Sequence, residues 1–551
     1  FDILNYDITL DVTDYAGQTI AAATSITYTP LMAGLTSIRF DLFQLVVDSV
    51  VDANGALAFT YDDQFLQVAL AAVPVLGNNY LMTVHYHGSP HHDPVWGGVY
   101  FESNMIYNLG IGLSTIPPNF GKVLYPCFDS FVERATYGWH VTSAGGRSFH
   151  GQGQLVGETA LGGDTIRRDF IMTDAITTHV SAFAVSNYID SSWVHNGAYG
   201  PVPITLSAQP AVINTMVNKF ADLGGAIDAL EFWYGPQPYE RVGYVHTTDG
   251  AMEHVTNVAY NAAYMNTQSV ANNQDLYSHE LAHNWWGSHV TQRVHNDMWL
   301  KEGPAEYSSH LAEEWIHGHD AFIDKVKDNH LAVLKTAHLI DGGFWPLSPM
   351  PDAHIYGDHT YYKGASVVHN LRGYLGDTLF RQAMSGAQTL LANTDITPTD
   401  LRDALESASG VDLHPFFDDQ VFNPGFSVWV IDQVSPGGIP DSYEVNLRQR
   451  LRECPDWYMQ VPLDITFIGA DGTIDEHLVM SSGELPPALL LSCPFTPVMT
   501  VIDRHNRLNM ARMDHEFTLY PGLAHTSYLP YVDLRVDDLN VPDTALVRVE
   551  H

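Results

Sequence analysis

The residues best suited to chemistry lie in one short run, Tyr277-Ser278-His279-Glu280-Leu281-Ala282-His283-Asn284-Trp285-Trp286-Gly287. His279 and His283 are four positions apart, which on a helix places both imidazoles on one face. Two such imidazoles can bind one divalent ion, and Glu280 beside them can hold a water against it. In a chain with 28 histidines, H-E-x-x-H arises by chance about 0.05 times. The alternative is a pair of solvated histidines on an exposed helix. A third ligand weakens that alternative. Trp299-Leu300-Lys301-Glu302-Gly303 places a carboxylate after His283 with 18 residues between them, in helix-compatible sequence. His279, His283 and Glu302 then form a donor set that suits zinc, with a fourth position open for catalysis.

This pattern, with Glu302 inside W-L-x-E-G, resembles the M1 aminopeptidases, a gluzincin family. Three further passages carry the resemblance. Gly250-Ala251-Met252-Glu253 is similar to the family's G-x-M-E-N exopeptidase motif. Tyr361-Tyr362-Lys363-Gly364 is similar to its Y-x-K-G segment. Tyr125-Pro126-Cys127-Phe128-Asp129 is similar to its P-C-F-D, and the stretch through Phe131-Val132-Glu133-Arg134 to Tyr137 looks most like secreted bacterial members. The resemblance runs in order over about residues 1–430. The chain departs from it at His254, where Asn is usual, and at Lys301, which also replaces an Asn. Pro304 and Ser309 are atypical too.

The resemblance implies roles. Glu280 is the general base, and zinc polarises water and the scissile carbonyl. Tyr361 is the expected hydrogen-bond donor to the oxyanion, with Tyr362 and Tyr356 as alternatives. Glu253 is expected to hold the substrate's terminal ammonium, whose reference pKa is about 7.7–8.0. Gly250, Ala251 and Met252 are small or unbranched enough for a substrate backbone to pair beside them. A protonated His254 would compete for Glu253, so activity is expected to fall in mild acid. Asp297 is a possible partner for a zinc histidine. His85, His87, His91 and His92 read better as a surface loop than as a second metal site. Trp285 and Trp286 read as core packing.

Around this centre the elements change character. Tyr6, Ile8, Leu10 and Val12 alternate with polar residues, as do Ile38, Phe40 and Leu42, and strand-like segments continue to about Tyr188. From Pro210 to Trp233 the spacing is helical, and helical stretches recur at 274–287, 302–317, 320–339, 362–373, 377–385 and 398–408. Asn423-Pro424-Gly425 ends this region. Val428 to Ile431, Trp457 to Phe467 and Ala488 to Ser492 again read as strands. The expected fold is multidomain α+β. An N-terminal β-sheet domain (1–200) precedes a thermolysin-like, mainly helical catalytic domain (201–427) and a C-terminal β domain (428–551).

Composition narrows the function. With 63 acidic residues against 25 basic ones, of which 7 are Lys, the net charge is −38. Such a chain repels nucleic acid. No apolar run approaches the ~18 residues of a membrane span. The expected partners are peptides with a free N-terminus, and oligomeric state has no signature here. Cys127, Cys454 and Cys493 are too few for a disulfide scaffold, and Cys454 and Cys493 either pair or stay reduced. Numbering opens on Phe1 without a leader, so a processed, secreted protein is expected. Two rivals are a thermolysin-type zinc endopeptidase and a non-catalytic binding protein on the same scaffold.

Overall fold

The computed structural model describes residues 1–513 and 515–516. Of the C-terminal region 428–551, residue 514 and residues 517–551 therefore lie outside the described residues. The architecture is α+β: an N-terminal region of β-sheets, a helical catalytic region and C-terminal sheets. The chain forms two compact units. One comprises Phe1–His295, Leu311–Ile316 and Gln388–Thr397, and the other Asn296–His310, His317–Ala387 and the residues from Pro398 onward.

In the first unit, alternation places Tyr6, Ile8 and Leu10 on the buried side of Asp2–Asp11. That strand lies inside an eight-stranded sheet. It pairs parallel with Ala135–Ser143 and antiparallel with Ile20–Thr29. Smaller sheets adjoin it, one formed by Ser148–Gly151, Phe183–Ser186, Met105–Gly112 and Gly97–Glu102. Cys127 of the P-C-F-D passage is fully buried in this core. Asp129 accepts from Gly121 N–H and from Thr178 Oγ1 at 2.7 Å, which pins the following turn.

Strands continue past Tyr188. Ile189–Gly197, Gly200–Ala208, Val242–Thr247 and Val258–Asn261 form a further four-stranded sheet. The first of these is an edge strand with most side chains exposed, so it lacks the half-buried alternation that marks a strand in sequence. Gly200–Ala208 and Val242–Thr247 are parallel and need a crossover, which Ile213–Lys219 and Leu223–Tyr234 supply. The single helix expected over 210–233 is thus two. Phe220 leaves helical geometry between them, its ring set 4.9, 4.8 and 4.7 Å from Tyr244, Tyr260 and Tyr277. Aromatic packing overrides the helical periodicity there.

Trp299–His317 and Gly364–Leu390, each mainly in the second unit, are the long helices that carry site motifs. The latter breaks at Gly376 (φ 72°), which separates the two stretches read from sequence. Two four-stranded sheets follow. Their core includes Trp429, Ile431, Val445, Leu463 and Phe467. The strand expected from Trp457 begins only at Val461. Before it, Tyr458, Met459 and Gln460 give their N–H groups to the side chains of Gln449, Asp419 and Ser482 instead of to a ladder. Cys454 and Cys493 are buried and unbridged, so the reduced alternative holds. Among the described residues no helix is long and apolar enough to cross a membrane.

Candidate active site and metal centre

The helix bearing the histidines, Val270–Ala282, starts at Ser269, whose side chain caps Asn272 N–H. Its partners fix it firmly. Tyr244 OH donates to Tyr277 O at 2.7 Å, and Trp285 Nε1–H donates to Gly235 O at 3.2 Å. Trp286 packs edge-on against Tyr234, so both tryptophans serve packing. Arg134 of the F-V-E-R stretch donates to Ser288 O at 2.7 Å and to Thr291 Oγ1, anchoring the chain just after the helix. That gives the stretch a structural reason to be there.

His279 and His283 are buried, with their Nε2 atoms 3.2 Å apart. His283 Nδ1–H donates to Trp286 O at 2.8 Å, which leaves Nε2 as a lone-pair donor. Two ligands at ~2.0–2.1 Å from one tetrahedral ion sit about 3.3 Å from each other, so the pair fits zinc. The donor atoms of His279, His283 and Glu302 form one group, all within 4.8 Å of one another. Glu302 is buried, and Lys301 Nζ lies 2.9 Å from its Oε1. This charge-assisted contact fixes one carboxylate oxygen and shows where the unusual Lys301 goes.

Glu253, Glu280 and His283 form a second group of donor atoms within 4.8 Å of one another, all three buried. Glu253 lies within the connection between the parallel strands Val242–Thr247 and Val258–Asn261. Gly250 has φ +146°, and a Cβ there would approach Ala259 O to 3.0 Å, so glycine is required. Met252 exchanges both backbone hydrogen bonds with Ala259, at 3.0 Å each, and Gly250 N–H donates to Asp249 Oδ1.

His254 behaves differently from the expectation. It is fully buried, and its Nε2 accepts the Gly110 N–H at 3.2 Å. Burial pushes its pKa down to about 4, so it stays neutral in mild acid and does not compete for Glu253 there. Asp297 accepts from Ser348 Oγ at 2.6 Å. Among the described residues, the groups of donor atoms close enough to share an ion do not include His85, His87, His91 or His92, and the first two lie on the strand Tyr80–Gly88. His87 meets Asp48, His91 packs on Phe43, and His92 packs on Tyr100.

Tyr361 and Tyr362 are half-buried in the wide turns His359–Lys363, and burial raises the Tyr362 phenol pKa. Sequence reasoning missed how this segment is positioned. A Cβ on Gly303 would lie 2.9 Å from Gly364 Cα, and one on Gly364 would lie 2.8 Å from Gly303 Cα. The glycines of W-L-K-E-G and Y-Y-K-G thus touch backbone to backbone and set Glu302 against the segment of Tyr361. Two motifs each ending in glycine were the available signal.

Residues 227–420 match the Peptidase family M1 domain. Aminopeptidase N of Oryctolagus cuniculus is 26% identical over 374 residues, 63% of this chain and 38% of that protein. Endoplasmic reticulum aminopeptidase 1 of Homo sapiens is 26% identical over 343 residues, 58% of this chain and 35% of that protein. These matches span less than two-fifths of the curated relatives' length. The fold matches the M1 zinc metallopeptidase of Deinococcus radiodurans at TM-score 0.68 and 20% identity, covering 76% of this chain and 94% of that one. A mutant of that enzyme bound to a Tyr-Ser-Ala substrate matches equally well. Residues 227–420 thus carry an M1-type peptidase domain, and the His279, His283 and Glu302 donor set within it suits zinc.

Proposed function

We propose that this protein is a secreted zinc aminopeptidase that removes the N-terminal residue from peptides. The carrying observation is the grouping of Glu253 with Glu280 and His283, donor atoms within 4.8 Å. A carboxylate that close to the hydrolytic carboxylate and a metal ligand can fix a terminal ammonium only one residue from the scissile bond. Zinc held by His279, His283 and Glu302 supplies a Lewis acid that polarises the carbonyl.

The chain's own residues do the rest. Glu253 binds the ammonium by charge-assisted hydrogen bonds and sets the register. Ala251 lies beside the substrate backbone. Glu280 takes a proton from the attacking water and returns it to the leaving amine. Tyr361 donates its phenolic proton in a hydrogen bond to the oxyanion that forms on the substrate. We assign the catalytic region to 201–427, between β regions at 1–200 and 428–551. Resemblance of the 125–137 stretch to secreted bacterial members supports the extracellular location.

Aminoacyl reporter substrates, turned over with and without a chelator, test this reading. Turnover that chelation abolishes and zinc restores is the expected result, and turnover indifferent to the chelator contradicts it. Tyr361→Phe should lower kcat with little change in substrate binding. One oxyanion donor contributes ~2.7–4 kcal/mol, so the loss should be about 10²–10³-fold. Near-normal turnover by that variant would move the role to Tyr362 or Tyr356.

A further inference from the structure

Behind the Y-Y-K-G segment, within the second unit, lies a cavity of about 40 Å³. A single water needs only ~10–15 Å³ measured this way, so several atoms fit. Lys363, Ser366, Asn370, Gln420, Trp429 and Asn509 line it, and no carboxylate does.

Its wall has a surplus of hydrogen-bond donors. Lys363 is buried, and its Nζ donates to Trp345 O at 3.1 Å and Asn423 O at 3.0 Å. Both partners are neutral, and among the described residues the third N–H has no acceptor. The Trp429 indole N–H is fully buried and has no acceptor among the described residues. Two of the amide acceptors nearby are already engaged. Gln420 Oε1 accepts from Asn370 Nδ2–H at 2.6 Å, and Asn370 Oδ1 accepts from Asn509 N–H. A buried cation without a counter-ion is costly, and so is an orphaned N–H.

We infer that this cavity is a binding site for a small monovalent anion such as chloride, held between Lys363 Nζ and the Trp429 indole N–H. The anion supplies the missing counter-charge and the missing acceptor together. Because Lys363 ties its segment to Trp345 and Asn423, occupancy braces the turns that carry Tyr361.

The groups facing Lys363 set the pH dependence. Cys454, Tyr374 and Tyr458 all have pKa values raised by burial and are neutral near pH 7, and burial pushes His359, which the Lys363 charge also disfavours, down to about 4, so it too is neutral there. Asp419, which acts on Cys454, Tyr374 and Tyr458, is pushed up to about 7 by its own burial. Burial pushes Lys363 down to about 7. Below that pH Lys363 is an ammonium and Asp419 is uncharged, and both favour an anion. Above it Lys363 loses its charge and Asp419 gains one, and both oppose it. The chloride effect is therefore strongest in mild acid.

Crystals soaked in sodium bromide, read by anomalous scattering, test the site directly. Melting in sodium chloride against equimolar sodium gluconate, at pH 6 and pH 9, tests it in solution. The surface, at net charge −38, repels both anions alike. We expect a bromine peak between Lys363 and Trp429. Chloride should raise Tm by about 2 °C or more at pH 6, with little effect at pH 9. Lys363→Gln should abolish both signals. Trp429→Phe, which keeps the ring and removes the N–H, should abolish or strongly reduce them, and it serves if Lys363→Gln does not fold. Absence of the peak, with equal Tm in both salts at pH 6, would leave a cavity filled by water and overturn the inference. A chloride effect of full size in Trp429→Phe would place the anion elsewhere and overturn it too.

Discussion

Glu280→Gln should lower kcat by roughly 10²–10⁴-fold, the usual contribution of a positioned general base. The protein should keep its zinc. Glu280 groups with Glu253 and His283, outside the His279, His283 and Glu302 ligand set. Gln keeps the volume of this buried side chain and removes only its ability to accept a proton. KM should change little, because the carboxylate acts on the water and the leaving amine. Zinc content and kcat on one preparation decide the matter. Loss of zinc with activity would make Glu280 a ligand, and near-normal kcat would move the base elsewhere.

His283→Ala should have the opposite signature, in which the metal goes first. His283 is held by Trp286 O so that Nε2 faces the Nε2 of His279. Disturbing the hydrogen-bond partner of a metal ligand already costs about 10–100-fold in metal affinity, so removing the ligand itself should cost more. We expect zinc near zero after dialysis and no turnover. The far-UV circular dichroism should be unchanged, because Trp285 and Tyr277 still anchor the helix. Full zinc occupancy in this variant would refute the ligand set.

The zinc ligands are legible in the sequence because a helix converts a spacing of four into a shared face. Local alternation likewise reveals Asp2–Asp11, whose Tyr6, Ile8 and Leu10 are buried. What is not legible depends on long-range partners. The break at Phe220 follows from three tyrosines that approach from distant segments. Ile189–Gly197 hides as a strand because its side chains face solvent. His254 reads as a titratable neighbour of Glu253 until its burial and the Gly110 N–H are known. Gly303 and Gly364 are visible as motif letters, but their mutual contact, 61 positions apart, is not.

The aminopeptidase reading stands or falls on the substrate's free amine. The decisive measurement is kcat/KM for one peptide with a free N-terminus and its N-acetylated twin, on wild type and on Glu253→Ala. In the proposed reading, acetylation removes the charge that Glu253 binds and adds bulk beside it. Wild type should therefore cleave the free peptide at its first bond and the acetylated one very poorly. A partly desolvated charge-assisted hydrogen bond is worth about 1.5–3 kcal/mol, so Glu253→Ala should lose about ten- to a few hundred-fold on the free peptide. Equal cleavage of both peptides by wild type at an internal bond would contradict the account and establish an endopeptidase in its place.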